Sequence, residues 1–182
     1  MILCAGRSES FDFARSVGVG LIESSMMLTQ IILEEKPSFL CFIGTAGSYG
    51  HHKIFDLLHS HQASNVELGF LNNLCYTPLE NHIETTEYYV SRGTKIPSVV
   101  VNSSNYITTD AVLANKMLSH NLELENMEFF SVLSVAKHFN LPCSGFFVVT
   151  NYCNQNAHRD FIKNHNKAKE LLSLHIINTL KI

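Results

Sequence analysis

The chain has 182 residues, of which 46% are hydrophobic and 16% are charged, and its formal net charge is −3. This size and composition are typical of one globular domain and exclude a disordered chain. The slightly acidic balance offers no basic surface for nucleic acid, so we expect no nucleic-acid partner.

The first third of the chain alternates short apolar runs with one amphipathic segment. Residues 1–5 are followed by Gly6, and residues 16–20 end in Gly20. Both ranges are predicted to be short extended segments. Apolar residues recur at helical spacing over 22–35, and Pro37 ends that helix. The continuous apolar run 39–43 predicts a buried parallel strand, followed by a tight turn at the glycine-containing residues that come next.

The rest of the chain continues the alternation after a polar stretch, residues 49–81, which is expected to wrap a sheet edge or a partner. Strands are predicted at residues 98–102 and 145–149. Helices are predicted at residues 110–118, 127–139 and 159–180. Alternating strands and helices favour a mostly parallel sheet with helices on both faces. We therefore predict an α/β fold, a three-layer α/β/α sandwich formed by a single domain of residues 1–182.

The cysteines and the lengths of the apolar runs indicate the cellular compartment. None of the five cysteines is part of a CxxC pair: Cys4, Cys41, Cys75, Cys143 and Cys153. The odd count and the spacing fit reduced thiols in a cytoplasmic protein. No apolar run approaches the ~20 residues that span a bilayer, and the first residues lack a signal-peptide pattern. We expect a cytoplasmic protein with no membrane partner.

Four short segments lie at predicted strand ends or helix starts: Gly18-Val19-Gly20, Gly44-Thr45-Ala46-Gly47, Asn126-Met127-Glu128 and Thr150-Asn151. The carboxyl ends of parallel strands are where α/β sheets bind ligands. In order and spacing, the set resembles the nucleoside phosphorylase/nucleosidase superfamily, which includes purine nucleoside and uridine phosphorylases and methylthioadenosine/adenosylhomocysteine nucleosidases. The resemblance implies a central mixed, mostly parallel sheet, here shortened at the N-terminus.

The resemblance also implies the residues that hold the nucleoside. Cleavage of an N-glycosidic bond passes through a ribosyl cation-like state while negative charge builds on the base. Glu128 is implied to chelate the ribose hydroxyls, with Met127 packed against the sugar and Tyr106 stacked on the base. Ala46 and Gly47 are implied to line the nucleoside pocket. Each also has a simpler interpretation, such as a helix-start glutamate or a half-buried strand-end tyrosine.

Asn151 stands where nucleosidases of this superfamily carry an aspartate that protonates the purine. An amide cannot donate a full proton, but it can hydrogen-bond N7 and O6 of a 6-oxopurine. Asn151 therefore favours inosine or guanosine as substrates. Reduced or lost catalysis and an ordinary loop asparagine stay open as alternatives.

The attacking group depends on the turn after the first strand. Arg7, next to Gly6, suits phosphate, and Thr45 with the amides around it could bind the same anion. Phe42 occupies the position of a phosphate-binding arginine in many bacterial phosphorylases. Glu9 falls where nucleosidases carry the glutamate that activates water. The same turn thus supports either phosphorolysis or hydrolysis.

The combined expectation is a purine nucleoside phosphorylase-type transferase of purine salvage, with phosphate as co-substrate and no cofactor. The alternatives are a phosphate-independent nucleosidase, of the methylthioadenosine/adenosylhomocysteine or futalosine type, and a catalytically weak nucleoside-binding protein. We expect no metal site, because no carboxylate or cysteine completes a set around the pairs His51-His52 and His59 with His61 at convincing spacing.

Relatives in the superfamily form dimers or rings of dimers, so the resemblance implies a homodimer or a trimer of dimers. Several aromatic residues in the middle of the chain are candidates for such an interface: Phe55, Phe70, Tyr76, Tyr88 and Tyr89.

Overall fold

The computed structural model describes residues 1–87 and 96–180, which form eight strands and five helices. The strands are β1 (Ile2–Cys4), β2 (Arg15–Ser16), β3 (Leu40–Ser48), β4 (Leu57–Ser64), β5 (His82–Glu84), β6 (Ser98–Ser103), β7 (Leu124–Asn126) and β8 (Cys143–Tyr152). The helices are α1 (Gly20–Glu35), α2 (Leu68–Leu71), α3 (Ala111–Ser119), α4 (Phe129–His138) and α5 (Ala157–Leu180). Within the described ranges, no helix is long and apolar enough to cross a membrane.

The strands form one mixed sheet that closes on itself. Hydrogen-bonded pairs run from β3 through β7, β6, β4 and β8 and return to β3. β1 and β2 extend the sheet beyond β3, and β5 extends it beyond β4. Among the described residues, five strand pairings are parallel and three are antiparallel. The predicted fold with a central mixed, mostly parallel sheet is confirmed.

The side chains of β3 alternate between two cores, as the period of a strand requires. Leu40 and Phe42 belong to the core that includes the apolar faces of α1 and α4. Cys41 and Ile43 belong to the core that includes α5. β8 is divided in the same way, so helices cover both faces of this part of the sheet and form the outer layers of the sandwich.

The helix boundaries agree closely with the predicted ones, because local capping and backbone signals set them. The side chain of Asp110 accepts hydrogen bonds from the N–H groups of Val112 and Leu113 and caps α3. The residue that caps the C-terminus of α1, Lys36, adopts a left-handed conformation with φ of 47° immediately before Pro37.

Two sequence-based expectations about the strands are wrong. The predicted turn after residue 43 does not form, because β3 continues through Gly44–Gly47 to Ser48 as fully buried strand. The polar stretch 49–81 contains a whole strand, β4, whose residues His59 and Ser60 are buried. Both were missed because polar and glycine residues in a strand give no apolar signal.

The aromatic residues proposed for an interface do not share one surface. Phe55 and Phe70 are partly buried against two different core clusters, whereas Tyr76 is 87% exposed. Tyr88 and Tyr89 lie outside the described residues.

Candidate active site

A cavity of about 300 Å³ lies at the carboxyl ends of the parallel strands β3 and β8. Most of the site residues predicted from the sequence line it: Gly6, Glu9, Thr45, Ala46, Gly47, Met127, Glu128 and Asn151. Further lining residues had been given no role from the sequence, and they include Ile107, Glu125, Asn126, His158 and Phe161. The fold thus brings together segments that lie more than a hundred residues apart in the sequence.

Glu9 enters the cavity from a tight turn after β1. Two backbone hydrogen bonds join Gly6 and Glu9, of 3.3 and 3.0 Å. Gly6 has φ of +94°, and a Cβ there would lie 2.9 Å from Cβ of Ser16, so only glycine fits without a shift. One carboxylate oxygen of Glu9 accepts a hydrogen bond of 2.6 Å from the N–H of Thr45.

Burial raises the pKa of Glu9 to about 7, although the hydrogen bonds from Thr45 and the charge of Lys169 act in the opposite direction. The carbonyl oxygen of the preceding residue, Ser8, accepts hydrogen bonds from His165 at 3.0 Å and from Lys169 at 2.9 Å. Because both donors belong to α5, this helix fixes the turn that carries Glu9.

Glu128 enters the cavity at the start of α4. Its side chain makes no capping hydrogen bond to its own helix. One carboxylate oxygen instead accepts a hydrogen bond of 2.9 Å from the N–H of Gly20, the first residue of α1. Burial, together with the negative charge of Glu9, raises the pKa of Glu128 to about 7.

Asn126 holds Glu128 in place. Its side-chain oxygen accepts hydrogen bonds from the N–H groups of Glu128 and Phe129, at 2.9 and 3.0 Å. Its amide nitrogen donates to the carbonyl oxygen of Thr45 at 3.2 Å. The side chain therefore ties the start of α4 to β3. An asparagine just before a helix is a capping signal, and that signal could have identified Asn126 from the sequence.

Asn151 is aimed into the cavity by an irregularity in the sheet. The pairing of β3 with β8 shifts between Ala46 and Gly47, so Thr150 is skipped and Asn151 pairs with Gly47. The Asn151 side chain accepts a hydrogen bond from the Thr150 hydroxyl at 2.8 Å and donates to the Tyr152 carbonyl at 3.2 Å. A Cβ at residue 47 would lie 3.1 Å from the Asn151 amide nitrogen, so Gly47 leaves this side chain its space.

Glu125 anchors the loop that covers one side of the cavity. Its carboxylate accepts hydrogen bonds from the N–H and hydroxyl of Thr108, at 2.9 and 2.5 Å, and from the hydroxyl of Tyr49 at 3.0 Å. Burial raises the pKa of Glu125. The network fixes the loop that contains Ile107, which contacts the cavity.

Two predicted site residues lie outside the cavity lining. Arg7 forms an ion pair of 3.1 Å with Glu23, and its side chain is 70% exposed. Tyr106 is 76% exposed, and its neighbour Ile107 lines the cavity in its place. Among the described residues that line the cavity, none is a lysine or an arginine. The polar groups of these described lining residues are therefore mainly carboxylates, amides and hydroxyls, next to a largely apolar wall.

Comparisons with known proteins agree with this architecture. A sequence model of the phosphorylase superfamily matches residues 13–181. No curated protein sequence matches the chain.

Among solved structures, one similar protein is the Helicobacter pylori 5′-methylthioadenosine/S-adenosylhomocysteine nucleosidase, as an aspartate-to-asparagine mutant with 5′-methylthioadenosine in the active site. The TM-score is 0.85 at 19% sequence identity, and the alignment covers 99% of this chain and 96% of that one. A second is the futalosine hydrolase of Helicobacter pylori, with a TM-score of 0.81, 19% identity and coverage of 99% of this chain and 96% of that one. A third is the Streptococcus pneumoniae methylthioadenosine/S-adenosylhomocysteine nucleosidase with 8-aminoadenine, with a TM-score of 0.80, 13% identity and coverage of 99% and 97% of the two chains. At such identities the likeness establishes the fold.

Proposed function

The chain belongs to the phosphorylase superfamily, and we propose that it is a nucleosidase, which cleaves the N-glycosidic bond of purine nucleosides with water. The observation that carries the proposal is the position of Glu9. Its buried carboxylate shares one cavity with Glu128, and the described lining residues include neither lysine nor arginine. This arrangement favours hydrolysis over the phosphorolysis expected from the sequence.

The electrostatics of the cavity oppose phosphate as the attacking group. A phosphate dianion would meet two carboxylates in a poorly solvated site, where like charges repel strongly. Arg7, the cation expected to bind phosphate, is paired with Glu23 outside the cavity. Water carries no charge, and a carboxylate with a pKa of about 7 can accept its proton near neutral pH.

The proposed reaction uses each group in one role. Glu9 accepts a proton from the attacking water while the water oxygen bonds to C1′ of the ribose. The bond from C1′ to the base nitrogen breaks, and its electron pair leaves with the purine. Glu128 accepts hydrogen bonds from the ribose hydroxyls, which orients the sugar for attack, and Met127 packs against it. The departing purine takes up a proton from solvent.

Asn151 determines how well the base can leave. Its amide can donate a hydrogen bond to N7 and thereby stabilise negative charge, but it cannot transfer a proton. We infer that 6-oxopurine nucleosides are better substrates than adenine nucleosides. General-acid catalysis contributes about 10²- to 10⁴-fold in enzymes, so we expect slow turnover.

A second candidate, a nucleoside-binding protein with very weak catalysis, is favoured by the same asparagine. The solved Helicobacter pylori nucleosidase mutant with 5′-methylthioadenosine in its active site carries an aspartate-to-asparagine change. If Asn151 occupies the equivalent position, this chain has naturally the residue type introduced in that mutant.

The deciding experiment measures base release from inosine, guanosine, adenosine, 5′-methylthioadenosine and futalosine, each with and without phosphate. We expect release that does not require phosphate. Phosphate-dependent release would establish phosphorolysis instead. No release, combined with a rise in Tm on adding a nucleoside, would establish the binding protein, because a ligand that binds only the folded state stabilises it.

We also propose that the chain acts in the cytoplasm as a homodimer or a trimer of dimers. α1 presents exposed apolar side chains, with Ile22 70%, Met26 69% and Leu33 61% exposed. Burying such side chains is a common reason for self-association. A molecular mass in solution equal to that of one chain would contradict the proposal.

A further inference from the structure

Two histidines and a glutamate form a compact cluster away from the proposed active site. His59 and His61 belong to β4, and Glu87 follows β5, which pairs with β4. One nitrogen of each histidine and one carboxylate oxygen of Glu87 all lie within 4.8 Å of one another. In the sequence, no carboxylate lies at a convincing spacing from the two histidines. The fold brings Glu87 next to them as a possible third ligand.

The two histidines each have a buried ring nitrogen without a hydrogen-bond partner among the described residues, Nε2 of His59 and Nδ1 of His61. Nε2 of His59 does lie 3.3 Å from Oε1 of Glu87. That separation is longer than the usual ~2.9 Å of an N–H···O hydrogen bond. Buried polar atoms without partners are rare in folded proteins, so this pair needs a physical explanation.

We propose that His59, His61 and Glu87 bind a divalent transition-metal ion, most simply Zn²⁺, with water as the fourth ligand. Zinc binds imidazole nitrogen and carboxylate oxygen at ~2.0–2.2 Å with tetrahedral geometry. Those bond lengths place neighbouring ligand atoms roughly 3.3–3.6 Å apart, and the observed 3.3 Å between Nε2 of His59 and Oε1 of Glu87 agrees with this spacing.

A second carboxylate orients one of the ligands. Nε2 of His61 lies 3.1 Å from Oε1 of Glu84, which leaves Nδ1 of His61 for the metal. Metal-binding histidines usually donate their other ring N–H to a carboxylate or carbonyl in this way. His59 itself is 6% exposed, and its ring contacts that of Phe146 on the neighbouring strand β8, with a centroid separation of 5.2 Å.

The site lies apart from the cavity. His59 is paired with Phe146, five residues before Asn151 on β8, which corresponds to roughly 17 Å along the strand. None of the three ligands lines the cavity. The ion would therefore tie β4 to the chain that follows β5 and stabilise this part of the sheet, without contacting a nucleoside.

Zinc titration of the full-length protein tests the proposal. The protein is prepared without a histidine tag, treated with a chelator and titrated with Zn²⁺ in competition with a chromogenic chelator. We expect one tightly bound ion per chain and a higher Tm in its presence. Failure to bind zinc at one ion per chain would overturn the proposal.

Variants separate this site from other histidines. Glu84→Gln is expected to weaken zinc binding about 10-fold, and His61→Gln and Glu87→Gln are expected to weaken it more and to abolish the rise in Tm. These side chains are partly exposed, so the variants are expected to fold. His51→Gln, at an exposed histidine, is the matched control. Equal zinc affinity in all variants, or an equal loss in the control, would overturn the proposal.

Discussion

Glu9 and Glu128 are held by main-chain N–H groups of different elements, those of Thr45 and Gly20, and their carboxylates enter one cavity. The charge of Glu9 is one cause of the raised pKa of Glu128, after burial. Near neutral pH such a pair holds a proton that one member can gain while the other stays ionised. Most of the tests below change one member of this pair or its surroundings.

Replacing Glu128 with glutamine should reduce base release on the order of 100-fold. The amide can still accept the hydrogen bond from Gly20, but it lacks the charge that strengthens bonds to the ribose hydroxyls, and each such bond contributes about 1.5–3 kcal/mol. Steady-state kinetics on the best nucleoside measures the effect. Glu170→Gln, at an exposed position of α5, serves as the control. Unchanged turnover would remove Glu128 from the reaction.

The same substitution should stabilise the fold above neutral pH. The pKa of Glu128 is about 7 in the folded protein, compared with 4.5 for a solvent-exposed glutamate such as that of the unfolded chain. Ionisation therefore opposes folding, and the penalty grows as the pH rises from about 4.5 to 7 and is fully present above that range. We expect Glu128→Gln to raise the free energy of unfolding by about 1–3 kcal/mol near pH 8 and by far less near pH 4.5.

Denaturant unfolding of Glu128→Gln and of the wild type at several pH values measures this effect. The difference between their free energies of unfolding should become smaller as the pH is lowered from 8 to 4.5. A difference in unfolding free energy that does not change with pH would mean that ionisation of Glu128 does not destabilise the folded protein.

Replacing Glu9 with glutamine should lower the hydrolysis rate about 10²- to 10⁴-fold, because the variant has no base to accept the proton of water. In the wild type, kcat/KM should fall as the pH drops below about 7, since Glu9 must be ionised to act and its pKa is about 7. A pH–rate series on both proteins tests the assignment. Full activity of Glu9→Gln, with or without phosphate, would exclude Glu9 as the base.

Replacing Asn151 with aspartate should increase turnover of adenine nucleosides on the order of 100-fold. A buried aspartate has a raised pKa and holds a proton that it can donate to the leaving base. Asn121→Asp introduces the same group at an exposed position and should have no effect. A folded Asn151→Asp protein that binds nucleoside without any gain in rate would mean that residue 151 does not contact the leaving base.

Replacing Lys169 with methionine should move the acidic limb of the pH–rate profile to higher pH. Lys169 lowers the pKa of Glu9 through its charge and bonds to the Ser8 carbonyl, while methionine keeps most of the apolar stem. Lys163→Met, at an exposed position on the same helix, is the control. A lower rate at every pH, with the acidic limb of the pH–rate profile at the same pH as in the wild type, would mean that the substitution only damages the structure.

The elements of the fold were largely readable from the sequence because their signals are local. The helical spacing at residues 22–35 predicted α1 closely, and the apolar run at 145–149 predicted the middle of β8. β4 escaped prediction because its buried side chains include His59 and Ser60, whose polar groups interact with residues distant in the chain. No local pattern encodes such interactions.

The site was predictable in its parts but not in its geometry. Glu9, Glu128 and Asn151 were identified by resemblance, and the fold brings them to one cavity. The direction of Arg7 was not predictable, since it depends on Glu23 at the start of a different element. His158 and Phe161 lie in the first two turns of α5, where their residue types and spacing are those of ordinary helix residues.

The closed ring of strands also constrains how the protein can be made. β8 completes the ring by pairing with both β3 and β4, and it begins only at Cys143. A nascent chain lacking β8 therefore has unpaired edges on β3 and β4, which are exposed to aggregation. The sheet can close only after the ribosome has added most of the chain, and its many long-range pairings are of the kind that fold slowly.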